Sequence, residues 1–143
     1  MIENYKIVVF KNYANFSGRA TRSEYWNYLL ATIVISIILR IIDSILGFNF
    51  DFSFGLNFGN EKSGILRSIY SLLVFLPGLA VMVRRLHDVG KSGWFFFIVF
   101  TIIGIFWLLI LLCTDSDDGT NQYGADPNDI FSDEIDEIGT SEA

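Results

Sequence analysis

The pattern of apolar and polar positions is dominated by three long apolar stretches, at residues 24–46, 65–83 and 94–113. Each is close to the ~20 apolar residues that a helix needs to cross the hydrocarbon core of a bilayer. Lipid offers no hydrogen-bond partner to backbone groups, so such stretches have to be helical. The pattern therefore predicts an all-α membrane protein with about three transmembrane helices.

The segment before the first stretch has a helical pattern of its own. Its apolar side chains recur at spacings that place them on one helical face. These positions are Ile2, Tyr5, Val9, Tyr13 and Phe16. We therefore expect a short amphipathic helix within residues 1–18, lying in the membrane interface.

Two other segments lie outside the apolar stretches. Phe48, Phe50, Phe52 and Phe54 alternate with polar residues, which fits a small strand or hairpin at the headgroups, or equally a partly ordered interfacial loop. Residues 128–143 are acidic and too short to form a core, so they are expected to be a disordered tail. Residues 1–127 are then predicted to form a single integral membrane domain.

Composition and charge narrow the class of protein. Hydrophobic residues make up 52% of the 143 residues and charged residues 18%, whereas about a quarter of a typical soluble domain is charged. The net charge of −6 arises in the C-terminal part, because no Lys or Arg follows Lys91. No basic cluster is dense enough for a phosphate track, which argues against nucleic acid as a partner. The single cysteine, Cys113, excludes an intrachain disulfide and a cysteine-cluster metal site.

The distribution of basic residues predicts the orientation in the membrane. Basic residues are concentrated before the first stretch and between the second and third, so the N-terminus and the second loop are expected in the cytoplasm. A single pass of the third stretch, which the sequence favours, puts the tail outside. If Gly104 instead breaks that stretch into a re-entrant hairpin, the tail returns to the cytoplasm. The basic residues concerned are Lys6, Lys11, Arg19, Arg22, Arg84, Arg85 and Lys91.

The first polar motif covers residues 16–26. Thr21 followed by Glu24 has the spacing of a capping box, so it is expected to begin the first spanning helix. Arg19 and Arg22 are three residues apart and could clamp an anionic headgroup or a phosphate. The motif thus has a structural interpretation and a binding interpretation.

The second polar motif lies between the second and third stretches, where it is expected to be a short cytoplasmic turn. Its arginines can anchor the chain at the inner interface or bind headgroups, with Asp88 capping the turn. A lone histidine beside an aspartate could also shuttle protons, although the structural or headgroup-binding role is favoured. The candidate residues are Arg84, Arg85, His87, Asp88 and Lys91.

The third polar motif follows the last apolar stretch. Asp115 and Asp117 suggest calcium, but an EF-hand loop needs glycine at its sixth position, and Gly119 is the fifth residue from Asp115. We therefore predict no metal and no cofactor. Asn121 and Tyr123 are expected in a compact turn.

Charged residues within the apolar stretches are costly in lipid and therefore informative. Asp43 near the end of the first stretch and Arg67 near the start of the second have matching depths, which predicts an ion pair between them. Arg40, one turn before Asp43, could join the pair or extend towards water. At the other end of the helices, Glu24 is expected to meet Arg84 or Arg85.

At its three motifs the chain resembles a bacterial membrane family known as domain of unknown function 805. The similar patterns are FxGRAxRxEYW at residues 16–26, RRLHDxGxSGW at 84–94 and GxNxYGxDP at 119–127. The resemblance covers roughly residues 10–127. It implies a multi-pass protein of the bacterial inner membrane, and it implies no activity.

Three classes of function fit these features. The favoured class is a non-enzymatic accessory, scaffold or anionic-lipid-interacting protein, because Arg, Lys and Trp are concentrated at one interface with no nucleophile or metal set. The second is a component of an oligomeric transporter of a small solute or ion, since three helices are too few to enclose a pathway alone. The third is a membrane enzyme acting on lipid or phosphate through His87 and Asp88. The expected partners are the bilayer, anionic lipids, and a second copy or another membrane protein.

Overall fold

The computed structural model of the chain describes residues 1–47, 49–50 and 63–127. Phe48, Phe52 and Phe54 of the alternating pattern and the tail at 128–143 lie outside these residues. The elements in chain order are α1 (Ile2–Lys6), a π-helical turn (Ile7–Lys11), α2 (Arg22–Leu46), β1 (Asn49–Phe50), β2 (Ser63–Gly64), α3 (Ile65–Asp88), a 3₁₀ helix (Gly93–Phe100) and α4 (Ile102–Cys113).

Helix α2 begins at the predicted capping residue. The hydroxyl of Thr21 accepts a hydrogen bond from the backbone N–H of Glu24 at 3.1 Å, which is half of a capping box. The helix ends at Gly47, whose φ of 70° is the left-handed conformation common after a helix C-terminus. Its 25 residues make a rod about 37 Å long, enough to cross a hydrocarbon core of ~30 Å.

Helix α3 extends to Asp88, five residues beyond the predicted end of the second stretch. The second polar motif therefore begins on the last turn of a helix, and the prediction of a short turn for residues 84–88 was wrong. The charged residues end the apolar run, but they do not end the helix, because protein groups pair with them there. Strands β1 and β2 form a two-stranded antiparallel ladder between α2 and α3, with Asn49 opposite Gly64.

The outward faces of α2 and α3 are apolar and exposed. Ile33, Ile37 and Ile41 of α2 are each about half exposed, as are Ile69 and Leu73 of α3. A soluble protein would bury such rows of large aliphatic side chains, whereas a bilayer covers them. By length and composition both helices can cross a membrane.

The third apolar stretch differs from the single helix predicted over 94–113. It consists of the 3₁₀ helix and α4, which meet at Thr101. The Thr101 hydroxyl accepts from the backbone N–H of Gly104 and so begins α4. Helix α4 has 12 residues and is about 18 Å long, less than a bilayer core. We call residues 93–113 the apolar hairpin.

Both ends of the apolar hairpin lie at the Asp88 end of α3. Just before the hairpin, the backbone N–H of Lys91 donates to the carbonyl of Leu86 at 2.9 Å. Just after it, the carbonyl of Thr114 accepts from Arg85. Gly104 allows the chain to reverse direction between the 3₁₀ helix and α4, because a Cβ at this position would overlap the carbonyl oxygen of Ile98. The hairpin packs on α3 through a buried cluster of Leu86, Val89, Leu108, Leu111 and Leu112.

The N-terminal helix is shorter than the predicted pattern over 1–18. Helical structure ends at Lys11, because Asn12 leaves the helical region with φ of −124°. The apolar side of this segment packs against α2 and α3: Tyr5 stacks on Tyr28 with ring centroids 5.8 Å apart. The Tyr5 hydroxyl lies 3.1 Å from that of Tyr70, within hydrogen-bonding distance. The segment is therefore attached to the helix pair by aromatic contacts.

Pro77 lies inside α3 and removes one backbone donor from it. The carbonyl that loses its helical partner is that of Leu73, four residues earlier. The hydroxyl of Tyr13 donates to this carbonyl at 2.8 Å. A residue from the N-terminal segment thus satisfies the group that the proline leaves unpaired.

Candidate functional site

A buried carboxylate at the end of α3 connects all three polar motifs. Asp88 is fully buried. Its Oδ1 accepts from Nε of Arg19 at 2.8 Å, and its Oδ2 accepts from the hydroxyl of Ser116 at 2.5 Å and from Nη1 of Arg85. We call Arg19, Arg85, Asp88 and Ser116 the polar network. Residues 69 positions apart in the chain meet in it.

Arg19 holds the third motif in place. Its guanidinium donates to the carbonyl oxygens of Asp117 at 2.5 Å and Gly119 at 2.6 Å, in addition to the carboxylate of Asp88. The carboxylate of Asp126 lies 3.9 Å from its Nη2. Arg19 is buried, so these groups replace the water that the charge would otherwise have. The interaction fixes the segment after α4 against the segment before α2.

Arg85 holds the end of the apolar hairpin. It donates to the carbonyl oxygens of Leu112 at 3.3 Å and of Thr114, which are among the groups that a helix C-terminus leaves unpaired. A cation is also favourable at this end of the helix dipole. The carbonyl of Ala20 lies at 3.5 Å, at the limit of a hydrogen bond. Arg85 therefore ties the first motif, α3 and α4 together.

Glu24 and Arg84 form the ion pair expected at this end of α2 and α3. Nη1 of Arg84 donates to Oε1 of Glu24 at 2.8 Å, and both side chains are largely shielded from solvent. The backbone adds to the contact, because the N–H of Ala20 donates to the carbonyl of Arg84 at 3.1 Å. Nε and Nη2 of Arg84 are buried without a hydrogen-bond partner in the described part of the chain.

His87 and Asp88 are adjacent in sequence but have separate partners. The ring of His87 stacks on that of Tyr123 with centroids 3.8 Å apart and planes within 3°. Its Nδ1 lies 3.3 Å from the carbonyl oxygen of Gly18. The side chain of Asn121 donates to the carbonyl of His87 at 2.9 Å. These contacts pack His87 against the third motif, at Asn121 and Tyr123.

The third motif forms the predicted compact turn. Asn121 and Gly124 make a reciprocal pair of backbone hydrogen bonds, at 3.0 and 3.1 Å. The side chain of Asn121 accepts from the N–H of Tyr123 at 2.9 Å, which closes an Asx turn. This turn carries Tyr123 onto His87.

The remaining cationic candidates of this end lie at the surface. Arg22 is about half exposed and forms an ion pair with the exposed Asp115. Lys91 is exposed. These two residues, unlike Arg19, Arg84 and Arg85, present charge to the surroundings.

Asp43, Arg67 and Arg40 lie at the opposite end of the helix pair. The carboxylate of Asp43 is buried and accepts from the backbone N–H groups of Leu66 at 3.2 Å and Arg67 at 3.0 Å. It therefore caps the first turn of α3 from α2, in place of the side-chain cap that Gly64 cannot provide. The predicted ion pair with the Arg67 side chain stays a prediction. Arg40 lies on the exposed side of α2 near Ser44.

The chemistry of the polar network is suited to holding separate segments of the chain together. Two buried guanidinium groups and one buried carboxylate use their hydrogen-bonding groups on one another and on backbone carbonyls. Within the described ranges, no group of three or more His, Cys, Asp and Glu could hold a metal ion. Sequence reasoning missed Ser116 and Asp126 as members of this site. Both residues stand in the third motif, but nothing in the sequence connects either of them with Arg19 or Asp88.

The exposed apolar helices and the buried polar network together define a small α-helical membrane protein. Its chain belongs to a family described as "Protein of unknown function (DUF805)", whose family model matches residues 13–125. These residues contain Arg19, Arg85, Asp88 and Ser116.

Two relatives show how far the likeness extends. The chain is 42% identical over 121 residues to the inner membrane protein YhaH of Escherichia coli (strain K12), a match that covers 83% of this chain and 92% of YhaH. It is 39% identical over 120 residues to the inner membrane protein YhaI of the same strain, with coverage of 83% and 91%. No solved structure matches the chain significantly.

Proposed function

We propose that this chain is a non-enzymatic protein of the bacterial inner membrane, an accessory or scaffold component whose polar network holds an apolar hairpin against two spanning helices. The observation that carries the proposal is the set of bonds around Asp88. Its two carboxylate oxygens are engaged by Arg19, Arg85 and Ser116, which belong to three separate segments. A carboxylate used in this way has a structural role.

The contacts of His87 support the same interpretation. A proton shuttle needs a ring nitrogen that faces substrate or a chain of polar groups. In this protein one face of the His87 ring is covered by Tyr123, and Nδ1 is directed at the Gly18 carbonyl. The pair of His87 and Asp88 lacks the mutual contact that general acid–base catalysis by a dyad would use.

The same geometry supports a specific membrane topology. Both ends of the apolar hairpin meet the Asp88 end of α3, so the hairpin would enter and leave the membrane on one side. That end also carries Arg22, Arg84 and Lys91, which the positive-inside rule places in the cytoplasm. In this proposal the N-terminus and the third motif both face the cytoplasm, and the protein crosses the membrane twice.

The hairpin also presents an aromatic surface suited to such a role. Trp94, Phe97 and Phe100 share one face of the 3₁₀ helix, which has three residues per turn. Successive ring centroids are 5.5 and 6.2 Å apart, and the rings are exposed in the chain alone. Lipid or the apolar helix of another membrane protein would cover this face, as expected of a scaffold embedded in a bilayer.

Cysteine labelling on both sides of the hairpin tests the proposal. In a Cys113→Ser background, Lys91→Cys reports the segment before the hairpin and Asp118→Cys the segment after it. Glu61→Cys, in the connection between the two spanning helices, is the control for an outside position. A membrane-impermeant maleimide applied to intact cells is expected to label only Glu61→Cys, and to label the other two variants after lysis.

The same experiment can contradict the proposal. A hairpin that crosses the membrane would place Lys91 and Asp118 on opposite sides. Labelling of Asp118→Cys in intact cells, with Lys91→Cys protected, would therefore exclude the re-entrant topology and separate the third motif from the other two.

A further inference from the structure

Arg84 differs from the other two buried arginines in how its guanidinium is used. Arg19 and Arg85 each bind the carboxylate of Asp88 and several carbonyl oxygens. Arg84 is only 3% exposed, yet in the described part of the chain its one side-chain hydrogen bond goes from Nη1 to Glu24. Its Nε and Nη2 are buried and have no hydrogen-bond partner among the residues that the structure describes.

The two unpaired atoms form one edge of the guanidinium plane. Their N–H groups point in the same direction, which is the geometry that binds two oxygens of a phosphate or carboxylate side by side. Nearly all buried donors in native proteins are paired, so an unpaired buried edge on a charged group calls for a partner. Glu24 occupies the opposite part of the guanidinium and holds the free edge in a fixed orientation.

The carboxylates nearest to Arg84 are engaged by other groups. Glu24 accepts from Nη1 of Arg84, and Asp88 accepts from Arg19 and Arg85. Among the described residues no acidic side chain bonds to Nε or Nη2 of Arg84. An anion from outside the chain could therefore bind this edge.

The position of Arg84 along α3 matches the level of lipid headgroups. It lies four residues before the end of the helix, a distance of about 6 Å, whereas the apolar row of α3 begins on its other side. A phospholipid whose chains lie against the apolar helices would carry its phosphate at about this level.

We propose that Nε and Nη2 of Arg84 bind a phosphate group, with Glu24 as the residue that orients the guanidinium. The phosphate belongs either to a phospholipid headgroup or to a free phosphate ion. The lipid source rests on the proposed function, because it requires this end of α3 to face the headgroups of the cytoplasmic leaflet. The free-ion source requires only the geometry of Arg84.

Thermal unfolding of the full chain in a neutral detergent tests the site. The melting temperature is measured after addition of dioleoyl phosphatidylglycerol, of dioleoylglycerol, which has the same chains without the phosphate, or of inorganic phosphate. A phosphate-bearing additive is expected to raise the melting temperature, while dioleoylglycerol is not. A response to phosphatidylglycerol alone assigns the lipid source, and a response to inorganic phosphate assigns the free ion.

Three variants separate Arg84 from other basic groups. Arg84→Lys keeps the charge but lacks the paired N–H edge, so it should lose at least half of the phosphate-dependent shift. Arg22→Lys, at an exposed arginine of the same end, should keep the shift. Glu24→Gln keeps a side-chain oxygen that can accept from Nη1 of Arg84 and so keeps the guanidinium oriented, but it removes the carboxylate charge that competes with phosphate; its shift should therefore be as large as in the original chain or larger.

Two results would overturn the site. The first is the absence of any shift with phosphatidylglycerol and with inorganic phosphate. The second is a full shift in Arg84→Lys, which would assign the effect to general charge. If Arg84→Lys does not fold, loss of the shift in folded Glu24→Gln contradicts the site. Failure of the cysteine labelling experiment would remove the cytoplasmic placement, but it would leave a shift that depends on Arg84 unaffected.

Discussion

The two ends of α3 each bury an aspartate, and the two aspartates have different tasks. At the Ile65 end, Asp43 is 1% exposed and accepts from two backbone N–H groups of the neighbouring helix. At the other end, Asp88 is fully buried and accepts from two guanidinium groups and a hydroxyl. One carboxylate closes a contact between two helices, and the other assembles three separate segments.

The difference shows that the number of segments a buried carboxylate connects depends on where its compensating positive charge comes from. Asp43 is compensated by the partial positive charge of a helix N-terminus, which is a local property of α3. Asp88 is compensated by full charges brought from elsewhere in the chain. Removing Asp43 leaves backbone donors that water or a neighbouring group can satisfy, whereas removing Asp88 leaves two buried cations facing each other.

The largest effect is expected from Asp88→Asn. Asparagine keeps the shape of the side chain but removes the negative charge and turns an amide donor towards Arg19 or Arg85. Breaking a buried ion pair by removing one partner typically costs ~3–5 kcal/mol. The free energy of unfolding in mixed detergent micelles, followed by tryptophan fluorescence, should fall by an amount in that range. The exposed Asp118→Asn provides the control, and equal effects of the two variants would contradict a special role for Asp88.

A smaller loss is expected from Asp43→Ala, about 1–2 kcal/mol, as for a helix cap. A double-mutant cycle with Arg67→Ala separates the cap from the predicted ion pair, because the alanine at position 67 keeps its backbone N–H. If the cap is the whole contribution, the two losses add. An interaction energy above ~0.5 kcal/mol would support the ion pair between the side chains.

The middle of α3 is stabilised by a neutral group from another segment, the hydroxyl of Tyr13, which donates to the backbone carbonyl of Leu73. Tyr13→Phe removes the hydroxyl that donates to the Leu73 carbonyl and should cost ~1 kcal/mol of unfolding free energy. In a Pro77→Ala background the helix regains its own donor, so the same substitution should cost close to nothing. An equal cost in both backgrounds would show that Tyr13 acts through packing alone.

The smallest effect is expected at the surface of the Asp88 end. Arg22 and Asp115 form an ion pair, but Asp115 is 88% exposed and water competes for both charges. Asp115→Asn should change the free energy of unfolding by less than ~0.5 kcal/mol, because exposed pairs contribute little. A loss comparable to that of Asp88→Asn would mean that Arg22 and Asp115 belong to the polar network.

The sequence predicts well what depends on local pattern. The lengths of the first two apolar stretches place α2 and α3 to within a few residues, and the spacing of Thr21 and Glu24 predicts the cap. Matching depths correctly bring Glu24 to Arg84 and Asp43 to the start of α3. At Asp43 the structure shows a contact to the backbone N–H of Arg67, whereas the predicted contact was an ion pair with its side chain, because sequence depth does not specify which atoms meet.

The polar network could not be predicted from the sequence in the same way. The stretch 94–113 is apolar at almost every position, so it has no periodicity from which a turn at Thr101 could be read. With the course of that stretch undetermined, the sequence did not specify on which side the third motif lies. The contact of Ser116 with Asp88, and those of Arg19 with the carbonyl oxygens of Asp117 and Gly119, depend on that course.

Arg19 and Asp88 join the first and second motifs, and a double-mutant cycle measures the strength of this connection. The free energy of unfolding is measured for the original chain, Arg19→Gln, Asp88→Asn and the double variant. If the two side chains stabilise the fold through their contact with each other, the second substitution lowers the free energy of unfolding little further after the first, and the interaction energy is ~1–3 kcal/mol. Losses that simply add would mean that Arg19 and Asp88 contribute separately and that the two motifs are not joined through them.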